Sequence, residues 1–117
     1  MQQVNLTIPL PPSLNGGYWG FAGSRRFLTL AAREFKTVVA HAVSQQPIRF
    51  GSSRLSLKII VHFRDKRRAD LSNRIKATED ALCQAGLFDD DSQIDHLEVV
   101  RGENIKGGLC LIKITEL

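Results

Sequence analysis

The chain has 117 residues, 43% of them hydrophobic and 24% charged, with 4 prolines and 9 glycines, which is the composition of an ordinary globular domain and not of a disordered or fibrous chain. No apolar run approaches the length that spans a bilayer, and the opening MQQVNLTIPLPPS lacks the basic start and long apolar middle of a secretory signal, so no membrane association is expected and a cytoplasmic location is. The net charge of +4 suits an anionic partner, and its distribution says more: residues 1–63 hold seven Lys or Arg against the single acid Glu34, whereas residues 64–117 hold nine bases and eleven acids.

One domain over 1–117 is expected, with no repeat and no linker. Val4, Leu6 and Ile8 alternate as a strand that ends at the Pro9, Pro11, Pro12 turn. From Pro11 to Phe27 the glycines and aromatic residues predict an irregular, partly exposed loop and a candidate substrate lip. Thr29 can cap a helix over 30–45 whose apolar positions Leu30, Ala31, Phe35, Val38, Val39 and Ala42 recur at helical spacing. Arg54 to Phe63 alternates Leu55, Leu57, Ile59, Val61 and Phe63 with outward residues, the pattern of a strand with one buried face. A second helix is predicted over Asp70–Ala85, with Leu71, Ile75, Thr78, Leu82 and Ala85 inward, Asp70 as cap and Gly86 as stop. Two further strands, Ile94–Val100 and Leu109–Ile114, are joined through the Lys106, Gly107, Gly108 turn. Cys83 and Cys110 lie in apolar surroundings with no ligand spacing near them and read as reduced core thiols.

The chemistry is concentrated late. Arg64, Lys66, Arg67 and Arg68 run into Asp70, and Asp89, Asp90 and Asp91 form a separate acidic knot on the loop that leaves the second helix. Magnesium prefers hard oxygen ligands, with one or two carboxylates enough when water and substrate phosphate fill the rest. Asn73, Lys76 and Asp80 share the helix face opposite the apolar stripe, so Lys76 stands one or two turns inside Asp70. In phosphodiester cleavage a metal and a nearby ammonium stabilise the developing charge. Spacing alone equally allows plainer roles: Asp70 as a cap, Lys76 paired with Asp80 at i,i+4, the three acids as a solvated turn, and Tyr18, Trp19 and Phe21 in the core instead of stacked on bases.

The run RRADLSNRIKATEDALCQAGLFDDDSQI, Arg67 to Ile94, resembles the RusA family of Holliday junction resolvases: basic residues, D-x-D-N, a Lys three residues on, D-A-L, then G and a D-D-x-Q-[IV] ending. The opening IPLPPSLN, the first helix and the late KGG turn before a strand ending in ITEL are similar to the family as well. The resemblance implies a RusA-like α+β fold with a mixed four-stranded sheet and two main helices. It also implies a homodimer whose two sites nick opposing strands of branched DNA, with Mg2+ as cofactor and Mn2+ as a substitute. Carried over by position, Asp70 and Asp91 would be metal ligands and Lys76 the lysine required for cleavage. Arg67, Arg68, Lys66 and Asn73 would face DNA, together with Arg25 and Arg26 of the lip, and Gln93 would support the acidic loop.

One departure stands out. Where the pattern has its second aspartate, this chain has Ser72. A neutral hydroxyl binds magnesium more weakly than a carboxylate. Either Asp89 or Asp90 substitutes, or Ser72 holds the metal weakly or through water, or the chain binds junctions without cutting them.

Overall fold

In the computed structural model, which describes residues 2–117, the element order is β1 (Gln3–Pro9), β2 (Trp19–Ala22), β3 (Arg25–Leu28), α1 (Leu30–Ser44), β4 (Leu55–His62), α2 (Ile75–Gln84), β5 (Ile94–Arg101) and β6 (Leu109–Glu116). Four strands form one sheet in the order β1-β6-β4-β5. β6 is antiparallel to both β1 and β4, while β4 and β5 are parallel. The sheet is therefore mixed and the fold α+β, with two helices. Parallel neighbours need a crossover, and the segment between β4 and β5 that contains α2 is that crossover.

Alternation in the strands places the core on one face. Val4, Leu6 and Ile8 of β1, Leu55, Leu57, Ile59 and Val61 of β4, and Cys110, Ile112 and Ile114 of β6 are all buried. Registers Leu6↔Ile112 and Ile59↔Ile112 align them in rows across the sheet. A one-residue slip would turn each row to solvent, and burying one such side chain contributes about 1.5–3 kcal/mol, so this pattern fixes the register. The opposite face carries a shallow groove lined by Asn5, Thr7, Lys58, Ile60, Leu111 and Lys113. β5 and β6 are not a hairpin joined at the KGG turn, because β4 lies between them.

α1 starts as its sequence predicts, with the Ala32 amide donating to the Thr29 hydroxyl at 3.1 Å. Its inward stripe is rotated from the expected one. Ala32, Phe35, Val39 and Val43 are buried, while Leu30 and Val38 stand exposed at 64% and 47%. The stretch 11–27 is not all loop. β2 and β3 pair from Trp19↔Leu28 to Ala22↔Arg25, turning through Gly23 at φ +65° and Ser24, and only the first of these is at positive φ. That is the pattern of a two-residue II′ turn, in which glycine takes the conformation other residues avoid.

The second helix begins later than predicted. Leu71–Arg74 is a 3-10 turn and the α-helix starts at Ile75. A competing donor explains the difference: the Leu14 amide takes the Asn73 carbonyl at 2.9 Å. Ala77, Thr78, Ala81 and Leu82 are its buried positions, so Ile75 and Ala85 are less enclosed than the predicted stripe implies. Asp70 occupies the cap position of the 3-10 turn but its side chain makes no capping bond. The C-terminus is closed by a Schellman pair, Leu87 N–H to Leu82 C=O and Gly86 N–H to Cys83 C=O, with Gly86 at φ +85°. Among the described residues no helix is long and apolar enough to cross a membrane.

Candidate active site

The acidic loop after α2 is held by one buried amide. Gln93, 4% exposed, accepts through Oε1 from the Asp89 and Asp90 amides at 3.0 and 2.8 Å. Its Nε2 donates to the carbonyls of Gly51 and Ser53 at 2.8 and 2.7 Å. The short turn Asp91–Gln93 is closed by a capping box in which Asp90 accepts from Ser92 N–H. Hydrogen bonding from Ser92, its side chain first and its backbone N–H second, pulls the Asp90 carboxyl below its usual range. Cys83 is partly exposed instead of core, and its thiol donates to the Asp89 carbonyl at 3.2 Å. Cys110 is buried, and burial pushes its thiol up to about 12.

Asp91 takes part in no ion pair found among the described residues, and its charge acts on Lys76 and Glu79 of α2. Lys76 Nζ lies 3.1 Å from Asp80 Oδ1, and this contact first, with Asp91 and Glu79 behind it, holds the ammonium above the usual lysine range. Asp80 also accepts from the Tyr18 hydroxyl at 3.0 Å. Tyr18 is thus a core residue, 1% exposed, whereas Phe21 at the hairpin end is 68% exposed. Glu79 is an acid that the sequence reading missed. It is half-buried, and burial first and Asp91 second raise it above the ordinary carboxylate range. The i, i+3, i+4, i+7 spacing of Lys76, Glu79, Asp80 and Cys83 was the signal available for it.

Asp70 is exposed, makes no capping bond and is in no ion pair found among the described residues. It lines a cleft of about 320 Å³ with Ser13, Asn15, Arg68, Ala69, Asn73 and Arg74. The structure therefore gathers Asp70 with Asn73 and Arg68, and Asp91 with Lys76, and the two groups are joined through the 3-10 turn that carries the exposed Ser72. Lys66, Arg67 and Arg68 are exposed in the bend before Asp70. Arg67 is already paired, donating to Asp65 through Nε and Nη2 at 3.0 and 2.8 Å. Arg25 is exposed on the hairpin and Arg26 stacks over Trp19 at 3.8 Å. Among the described residues no three His, Cys, Asp or Glu side chains form a metal-sized cluster. Magnesium needs only one or two carboxylates beside water and phosphate, and Asp70 and Asp91, in no ion pair found among the described residues, fit that demand chemically.

The family model for the endodeoxyribonuclease RusA matches residues 9–114. The chain belongs to the RusA family. Over 118 aligned positions, covering all of this chain and 98% of each relative, it is 38% identical to the crossover junction endodeoxyribonuclease of Enterobacteria phage HK97. Over the same coverage it is 32% identical to those of Enterobacteria phage 82 and of Escherichia coli K12. The RusA match starts at the last residue of β1 and runs through both helices, β4, β5, most of β6 and the acidic loop, so Asp70, Lys76 and Asp91 all lie inside it. The chain is accordingly a nuclease of this family.

Proposed function

We propose that the protein is a magnesium-dependent endodeoxyribonuclease that resolves four-way (Holliday) DNA junctions by paired symmetric nicks in recombination and repair. The observation that carries this reading is Asp70. It stands at the start of a helical segment without capping it, beside Arg68 and Asn73 in an open cleft, which is where a ligand carboxylate is of use and a structural cap is not. Asp70 and Asp91 would hold the metal, with Mn2+ as a substitute, and Ser72 would contribute weakly or through water. Asp90 is the less suitable replacement, since its carboxylate already caps its own turn. Bound there, magnesium supplies a Lewis-acid charge at the scissile phosphate. Lys76, whose ammonium Asp80 holds above the usual lysine range, would stabilise the developing negative charge or donate a proton to the leaving oxygen. Lys66, Arg67, Arg68, Asn73, Arg25 and Arg26 would bind the DNA, in a salt-dependent manner. A homodimer in the cytoplasm completes the reading, because two cuts need two sites; exposed Leu30 and Val38 of α1 are apolar surface that a second copy would cover.

Ser72 favours a second reading, a junction-binding protein whose cutting is impaired by the missing carboxylate. Cleavage of a labelled four-way junction in magnesium and in EDTA separates the two, with Ser72→Asp and Asp70→Asn alongside. Paired nicks by the unmodified chain, lost in EDTA and in Asp70→Asn, support the resolvase. Binding without nicks, with cutting gained in Ser72→Asp, supports the binder and refutes the resolvase.

A further inference from the structure

Next to the Asp70 cleft, two arginines from outside the basic run, Arg74 and Arg101, converge on one aromatic ring. Phe63, buried where β4 ends, has two guanidinium groups over its ring, Arg101 at 4.6 Å and Arg74 at 5.4 Å. Both are held by neutral partners: Arg101 Nη2 donates to the Ala69 carbonyl at 2.6 Å and Arg74 Nη1 to the Pro11 carbonyl. Neither has a carboxylate partner among the described residues. Arg74 Nε is buried and finds no hydrogen-bond partner among the described residues. A buried donor left unmade costs about 1–3 kcal/mol, more when charged, so a fold keeps one where a ligand completes it or where another role outweighs the loss.

The surroundings choose between these. Arg64, Arg67, Arg68 and Arg74 line one cleft of about 310 Å³ with Phe63, Leu10 and Ala69, and its single acid, Asp65, is taken by Arg67. Arg68, Ala69 and Arg74 also line the Asp70 cleft, so the two clefts are neighbours that share one wall.

We propose that this arginine cleft is a seat for one backbone phosphodiester of the DNA strand that passes Asp70, with Arg74 and Arg64 as its donors. Guanidinium forks match phosphate oxygens bidentately, and Phe63 with the Pro11 carbonyl fixes the Arg74 fork in advance of binding. A phosphate held here would register the strand against Asp70 and thereby act on cleavage as a positioning contact. The inference rests on the DNA-cleaving role proposed above.

The test uses the full chain in EDTA, so that binding is read without turnover. Junction affinity is measured across a salt series for the unmodified protein, Arg64→Ala, Arg74→Lys and a Lys113→Ala control on the opposite sheet face. Single methylphosphonates are then scanned through the strand around the cut. Loss of one phosphate contact lowers the slope of log K against log salt by about 1 and weakens binding uniformly across sequences. Arg64→Ala is expected to lower the slope by that amount with Lys113→Ala unchanged, and Arg74→Lys to weaken binding through loss of the fork. One methylphosphonate position should weaken the unmodified protein yet have no further effect on Arg64→Ala. Slopes equal to the unmodified protein, or no position whose effect Arg64→Ala abolishes, overturn the seat alone. Failure of the unmodified chain to bind any junction overturns the nuclease reading and the seat with it.

Discussion

Lys76 and Asp80 form a 3.1 Å ion pair one helical turn apart, and the second oxygen of Asp80 is fixed from the core by Tyr18 at 3.0 Å. The plain i,i+4 pair that the sequence offers is therefore present. It does not compete with a role in cleavage, because the same contact keeps Lys76 charged and aimed. Lys76→Ala should lower junction cleavage by about 10²–10³ while leaving junction binding in EDTA within roughly threefold. Asp80→Asn should cut activity far less and cost about 0.5–1.5 kcal/mol, since the ion pair is lost from a partly buried site while the amide oxygen can still accept from Tyr18. Single-turnover cleavage beside equilibrium binding checks both, and equal losses in the two assays for Lys76→Ala would make Lys76 a binding residue only.

The acidic loop depends on a single side chain. Gln93→Ala removes four hydrogen bonds and leaves the Asp90 amide and the Ser53 carbonyl without the partners they now have. A loss of about 2–4 kcal/mol is expected, with faster hydrogen exchange at Asp89 and Asp90. Denaturation with urea measures the first. A change under 1 kcal/mol, on the scale of an ordinary surface substitution, would mean that the loop is held chiefly by the Cys83 and Gly51 contacts.

Alkaline pH should destabilise the fold through Tyr18. Burial first, and the Asp80 bond second, hold its hydroxyl above its ordinary value. A proton held more tightly in the folded state contributes stability that is fully present below the unfolded pKa of about 10 and lost as pH rises beyond it. Lys76, also raised, acts with the same sign. Melting temperature is expected to fall above about pH 10, and to fall less in Tyr18→Phe, which starts about 1 kcal/mol lower for the lost bond. Parallel slopes for the two proteins in thermal melts would assign the alkaline loss to other groups.

Asp65 restrains Arg67. The pair holds the Asp65 carboxyl below its usual range, and Arg67 is the only member of the basic run before Asp70 seen in an ion pair among the described residues. Asp65→Asn should free that charge, tighten DNA binding and steepen the salt slope by about 0.9. An unchanged slope in fluorescence anisotropy titrations would show that Arg67 meets phosphate without leaving Asp65, or not at all.

The alternation of Val4, Leu6, Ile8 and of Leu55 through Val61, the Thr29 cap and the Gly86 stop were all legible in the sequence, because each is a local rule of backbone conformation or of side-chain period. So was the run from Arg67 to Ile94 that resembles the family, since its residue types sit at fixed spacing. The hairpin at Gly23–Ser24 was hidden inside a glycine-rich and aromatic stretch, although its two-residue turn was in principle readable. Only the tertiary structure decided the rest. The Leu14 amide, brought in by the turn after β1, takes the Asn73 carbonyl, delays α2 to Ile75 and leaves Asp70 uncapped. The crossover from β4 to β5 brings Asp91 within electrostatic reach of Lys76 and Glu79. Folding also brings Arg74 and Arg101 over Phe63 from two separate segments. Such contacts join residues far apart in the chain, and their energies depend on burial and distance, which no local pattern encodes.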